Sequence, residues 1–98
     1  MAQKSGKGGP GGQPSNEDIA GQLERIAELL EAQDANPFRV RAYREAAGTL
    51  AGLHEPAAEL LEREGIAGLQ RLPNIGELLA RSIEQYILGG GIALLEHL

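Results

Sequence analysis

Two groups of residues in this chain could do chemistry. The first is the turn Leu72-Pro73-Asn74-Ile75-Gly76, which runs straight into an apolar helical stretch. A tight turn feeding a helix leaves several backbone N–H groups without partners and pointing one way. Those amides, with the positive end of the helix dipole, suit a phosphate. Gly76 lets a phosphate approach without a Cβ in the way. Asn74 tolerates the positive φ that such a turn uses, and Ile75 is placed to plug the turn into the core. The second group is arginine. Arg39, Arg41 and Arg44 lie within six residues, and Arg71 and Arg81 flank the turn. A guanidinium fork matches phosphate oxygens.

Each of these signals has a plainer counterpart. The turn also reads as a simple corner between two helices. Glu77, in the first turn of the helix that follows, repels a phosphate unless it points away. Arg41 and Glu45 are spaced as an i,i+4 pair, and Arg81 shares a side with Glu77 and Glu84. Tyr43 reads as a core aromatic with its hydroxyl at the rim.

The elements that must position these groups are helices. Ser15 or Asn16 can cap the first, with Glu17 and Asp18 at its positive end. Ile19, Leu23, Ile26 and Leu30 follow at spacings of about 3.6, one apolar stripe, and the helix stops near Gln33. Asn36-Pro37 opens the second helix, a cap followed by a proline at the first helical position. It runs to about Leu53. Phe38, Val40, Ala42, Tyr43, Ala46, Ala47 and Leu50 fall on one broad apolar arc, and Arg41, Arg44 and Gly48 face the other way. Arg39 falls inside that arc, and an unpaired buried guanidinium is costly. The arc therefore places Arg39 at the edge of the core with an anionic partner.

A third helix runs from Glu55, with Pro56 in its first turn, to about Glu64, and Gly65 ends it. Residues 66–70 read as a short helical turn. The fourth helix runs from Gly76 or Glu77 to Leu88. Gly89, Gly90 and Gly91 break it, and residues 92–98 can form a short last helix. No strand pattern is present. The expected fold is all-α, a compact bundle of four to five short helices.

Charge and composition narrow the function classes. The 98 residues contain nine Lys+Arg against fourteen Asp+Glu, a formal net charge of −5. Residues 1–14 are rich in Gly and Pro, hold both lysines, Lys4 and Lys7, and read as a flexible basic tail. The remaining 84 residues therefore carry seven arginines against fourteen acids, a charge near −7 (7 − 14). A domain that binds nucleic acid through bulk charge would be basic, so any anion site here must be local. There is no cysteine, which excludes disulfides, thiol catalysis and thiolate-bound zinc. His54 and His97 are too few for a histidine-rich metal site, His54 reads as a surface residue, and no carboxylate cluster has metal-ligand spacing. The uncharged stretch from Gln85 to Leu95 is too short to cross a bilayer, and no secretory leader is visible. A monomer in the cytoplasm is the expected setting, nucleoid-associated in a bacterium.

The segment LQRLPNIGELLARSI has the layout of a helix-hairpin-helix. Together with NEDIAGQLERIAELL at residues 16–30, NPFRVRAYREAA at 36–47, and LLEHL beyond the hairpin, it resembles the N-terminal domain of family X DNA polymerases, the DNA polymerase beta-like group. The resemblance covers residues 15–98. It is nearest to the bacterial branch, because the loop between the second helix and the hairpin is long. It implies a module that binds gapped or nicked DNA, or a junction of single strand and duplex, on the 5′-phosphate side. The resemblance assigns the phosphate-binding amides to Asn74, Ile75, Gly76 and Leu78. It assigns a monovalent cation, Na+ or K+, to the carbonyls of Leu72 and Ile75 when DNA is bound. Arg39 matches the family's basic residue early in the second helix, and Tyr43 a tyrosine of the same pocket. Arg41, Arg44, Arg71 and Arg81 complete the expected DNA contacts.

Some members of that family remove a 5′-deoxyribose phosphate through a lysine Schiff base, helped by a second lysine one helical turn away. The matching positions here are Ser82 and Leu78. A Schiff base needs an unprotonated amine, residues 15–98 contain no lysine, and arginine stays protonated. Residues 15–98 alone are thus expected to bind DNA without lyase activity, in a free-standing protein or at the front of a repair polymerase. No cofactor beyond that cation is expected. The alternative is a helical protein-interaction module that kept the fold and lost the DNA site.

Overall fold

The computed structural model describes residues 13–89, and they form four helices: α1 (Asn16–Ala32), α2 (Pro37–Ala51), α3 (Ala57–Gln70) and α4 (Glu77–Gly89). Among the described residues there is no strand, and no helix is long and apolar enough to cross a membrane. Most of the expected basic tail, and all of the expected helix at 92–98 with His97, lie outside the described residues.

The helix ends follow from local chemistry. Ser15 caps α1 in a capping box: its hydroxyl accepts from the Asp18 amide at 3.0 Å, and the Asp18 carboxylate accepts from the Ser15 amide at 3.1 Å. At the other end Asp34 has φ 59°, and the amides of Asp34 and Ala35 return to the carbonyls of Glu31 and Leu30. That closes α1 with a left-handed turn. Asn36 caps α2 by accepting from the Phe38 amide at 2.8 Å. Asn16 does a job that its position does not announce. Its side chain reaches 41 residues along the chain to accept from the Ala57 amide at 2.7 Å, and donates to the Glu55 carbonyl at 2.8 Å. The start of α1 therefore caps the start of α3.

Inside α3, Gly65 has φ 73° and ψ −167°, and two helical pieces meet there. This is the break expected from the sequence. A Cβ at Gly65 would meet nothing within 4 Å, so the cost of a side chain is conformational rather than steric. That φ/ψ region is essentially glycine-only. Gly65→Ala is expected to destabilise the domain by about 1–3 kcal/mol, measured as a lower midpoint in urea at unchanged slope.

The core is a single cluster. Ile19, Leu23, Ile26 and Leu30 of α1, the expected stripe, join Val40, Tyr43, Ala46, Ala47 and Leu50 of α2. Alanines at positions 20, 27, 46 and 47 keep this interface thin, and α1 against α2 is the most extensive helix contact. Ala57, Ala58, Leu60, Leu61 and Leu69 of α3, Ile75 of the turn, and Leu79, Ala80, Ile83 and Ile87 of α4 complete the cluster. Tyr86 packs against its edge, where burial first and the charge of Asp18 second raise its phenol above the usual value.

Two expectations for α2 are corrected. Phe38 belongs to the apolar arc by angle but is 76% exposed, and Arg39 is exposed as well. α1 ends before it can cover the first turn of α2, so Val40 is the first α2 residue buried. Arg39 therefore escapes the burial cost that demanded an anionic partner, and it forms no ion pair among the described residues.

Candidate functional site

The hairpin sits between α3 and α4. After α3 ends at Gln70, the Leu72 amide donates to Leu69 at 3.1 Å and the Ile75 amide donates to Leu72 at 3.3 Å. Asn74 has φ 66°, the left-handed conformation that its residue type tolerates. The Asn74 side-chain amide donates to the Thr49 hydroxyl at 3.3 Å, which ties the turn to the last part of α2. Ile75, only 3% exposed, inserts into the core cluster as its position suggests.

Next, the Gly76 carbonyl accepts the Ala80 amide at 2.9 Å, the bond that opens α4. Among the described residues, the amides of Gly76, Glu77, Leu78 and Leu79 donate to no backbone carbonyl. They are the orphan donors of a helix start. A Cβ on Gly76 would meet nothing within 4 Å, and Gly76 is exposed, so the approach to these amides is open. The Ile75 amide, in contrast, is committed inside the turn. Leu78 is 67% exposed beside them, and Ser82, one turn further, is half-buried.

The arginines are distributed unevenly. Arg44 donates to Glu31 of α1 at 2.9 Å, and that carboxylate holds the guanidinium above its usual pKa, by the hydrogen bond first and charge second. Arg71 pairs with Glu64 of α3. Arg81 donates to Glu77 through two nitrogens, at 3.1 and 3.3 Å, so the residue expected to repel a phosphate is held by a cation. Arg41 reaches Glu45 only at 4.0 Å. Tyr43 is 4% exposed and belongs to the core.

Thr49 marks where the hairpin meets α2, and Arg39 lies ten residues earlier. At about 1.5 Å of rise per residue, roughly 15 Å of helix separates them. The hairpin and Arg39 thus stand at opposite ends of α2, a span of several nucleotides along one strand at about 3.4 Å each.

A surface groove lies elsewhere, between the start of α1 and the α2–α3 connection. Its lining includes Ser15, Leu53, His54 and Pro56, together with Glu17, Glu55, Glu59 and Glu62. Those carboxylates repel a phosphate. His54 is exposed there, a surface residue as expected. Among the described residues no group of three acidic or histidine side chains could hold a metal ion. Sequence reasoning did not anticipate Thr49 or Asn16 as positioning residues, because a contact 25 or 41 residues away leaves no periodic signal.

The surroundings of the hairpin agree with what is found in other proteins. A family model described as a helix-hairpin-helix domain matches residues 14–92, and such domains generally bind DNA. No curated protein matches the chain. The matched stretch contains the turn at 72–76 and all four helices, and the chain belongs to the helix-hairpin-helix domain family.

Proposed function

We propose that this domain binds DNA through its sugar–phosphate backbone, on the 5′-phosphate side of a gap or nick, without reading bases. The observation that carries the reading is the hairpin: a left-handed Asn74, an open Gly76, and four helix-start amides with no backbone acceptor. These donors and the dipole of α4 hold one phosphate. Leu78 contributes its amide rather than its side chain. Arg39, exposed and with no ion-pair partner among the described residues, holds a second phosphate further along the strand. Arg41, Arg44, Arg71 and Arg81 contribute when their glutamates release them, and Tyr43 supports the Arg39 end of α2 from within the core.

A Na+ or K+ ion fits the carbonyls of Leu72 and Ile75. Leu72 accepts one long bond of 3.3 Å and keeps a lone pair, and Ile75 accepts none from a main-chain amide among the described residues. When bound, the ion would lend positive charge to the phosphate contact.

Support for a repair-polymerase setting is the resemblance of residues 15–98 to family X N-terminal domains. On this reading the domain works as a monomer on DNA in the cytoplasm or nucleoid and positions ends for chemistry done elsewhere. The alternative, a protein-interaction module, is favoured by the acidic body. Binding of a 5′-phosphorylated gapped duplex separates the two. The DNA reading predicts affinity that falls with salt, with a log–log slope of about −2 to −4 for a few phosphate contacts. Absence of binding at low salt would favour the alternative.

The domain does not act as a lyase on this reading. Borohydride treatment of the protein with incised abasic-site DNA is expected to leave residues 15–98 uncrosslinked. A trapped adduct mapped within that stretch would contradict the assignment.

A further inference from the structure

The groove at the start of α1 continues past Ala58 and Glu62 into a second one, which takes in Leu61 of α3 and Glu84, Ile87 and Leu88 of α4. Together they form one trough along α3. Its apolar side chains are incompletely covered: Leu53 is half-buried and Leu88 is 72% exposed. Its charge is of one sign. Glu17, Glu55, Glu59, Glu62 and Glu84 line it, and no arginine does. Elsewhere Glu31, Glu45, Glu64 and Glu77 each pair with an arginine. In the trough Glu55 is held by Arg63, and the other four glutamates form no ion pair among the described residues.

We propose that this trough docks a helical segment of a partner protein that carries lysines or arginines beside a row of aliphatic side chains. The aliphatic anchors, spaced i, i+3/i+4 and i+7, enter between α3 and the end of α4. The flanking cations meet the unpaired carboxylates. Other occupants fit less well. Nucleic acid has the wrong sign, and a second copy of this chain brings a formal charge of −5. Residues 1–12 carry Lys4 and Lys7 but have only Met1 and Ala2 to bury beside a proline and five glycines. Residues 90–98 carry leucines but no lysine or arginine. The hairpin takes no part in this surface, because about 16 Å of α4 separates Glu77 from Leu88. The proposal therefore stands independently of the DNA reading.

The test uses the full-length chain and two synthetic peptides of identical leucine and lysine content. In one the leucines share a helical face, and in the other their order is scrambled. Isothermal titration should show the amphipathic peptide binding roughly tenfold tighter or more, because an acidic surface alone attracts both equally. Glu59→Gln/Glu62→Gln should weaken that binding roughly tenfold, from two exposed pairs each worth up to a few-fold, and flatten its salt dependence. Leu88→Ser should weaken it several-fold with the salt dependence unchanged. Glu24→Gln/Glu28→Gln removes the same charge from exposed positions of α1 outside the trough, and should change affinity by less than about threefold. Circular dichroism establishes that each variant is folded; Glu59, Glu62 and Leu88 are all exposed. Absence of binding, equal affinity for the two peptides, unchanged affinity in the trough variants, or an equal loss in the α1 control would overturn the proposal. Two results on the free chain would also overturn it. A dimer in sedimentation that Leu88→Ser dissolves would make a second copy the occupant. Nuclear Overhauser contacts from residues 1–12 or 90–98 to Leu61 or Leu88 would make the chain its own occupant.

Discussion

Arg39→Ala combined with Gly76→Val is expected to weaken binding of a 5′-phosphorylated gapped duplex by roughly 100-fold, with folding little changed. On the proposed reading, each substitution acts on one of the two phosphates. Removing Arg39 loses a charge-assisted contact, and such bonds are worth about 1.5–3 kcal/mol, or more than tenfold each. No carboxylate is orphaned, because Arg39 has no ion-pair partner among the described residues. Valine at position 76 places methyl groups over the amides where the phosphate must sit. Its Cβ has open space around it and Gly76 does not need a positive φ, so the loss should fall on affinity rather than stability. Because Arg39 and the Thr49 end of α2, to which the hairpin is tied through Asn74, are about 15 Å of helix apart, the single variants should add to the double within about 0.5 kcal/mol. Anisotropy titrations and thermal melts of all three variants check this. Unchanged affinity in the double variant would refute the two-phosphate geometry.

Ile83→Ala should carry the largest stability cost, about 2–5 kcal/mol, against the roughly 5–15 kcal/mol that holds a small domain together. Ile83 is fully buried on α4. α4 is attached mainly to α3 and more lightly to α1, so few neighbours can collapse into the space left behind. Urea unfolding measures the loss. Hydrogen exchange should show α4 and the hairpin opening before α1 and α2, whose mutual interface is the broadest in the fold. Uniform loss of protection across all four helices would show that the hairpin is no more weakly held than the rest.

Features written in local sequence were legible. The Ile19–Leu23–Ile26–Leu30 stripe, the Asn36-Pro37 opening of α2, the break at Gly65 and the turn at 72–76 each rest on residues within one or two helical turns of one another. Asn74 with positive φ follows from its residue type and its place in the turn. Harder to read were the features set by where helices stop relative to their neighbours. The helical wheel puts Phe38 and Arg39 on the core side of α2, but a wheel has no axial coordinate, and α1 does not extend far enough to cover them. Long-range hydrogen bonds such as Asn16 to Ala57 and Asn74 to Thr49 are likewise invisible in periodicity.

The site was legible in kind but not in detail. Position and spacing identified the hairpin and the arginines, and also the i,i+4 pairs Arg41–Glu45 and Arg81–Glu77. They did not show that Arg44 is taken by Glu31 and Arg71 by Glu64, because Glu31 comes from another helix and Glu64 from across the break at Gly65. Nor did they separate the Ile75 amide, which the turn uses, from the four amides that follow it.

Titrating a 5′-phosphorylated gapped duplex into uniformly 15N-labelled protein, and following each amide by NMR, tests the phosphate-binding hairpin most directly. The largest shifts are expected at the amides of Gly76, Glu77, Leu78 and Leu79, with a second, separate group at the start of α2 around Arg39. The Ile75 amide, bonded within the turn, should move less than its neighbours. Shifts confined to α1 or to the acidic groove near His54, with the hairpin amides unmoved at saturation, would contradict the account.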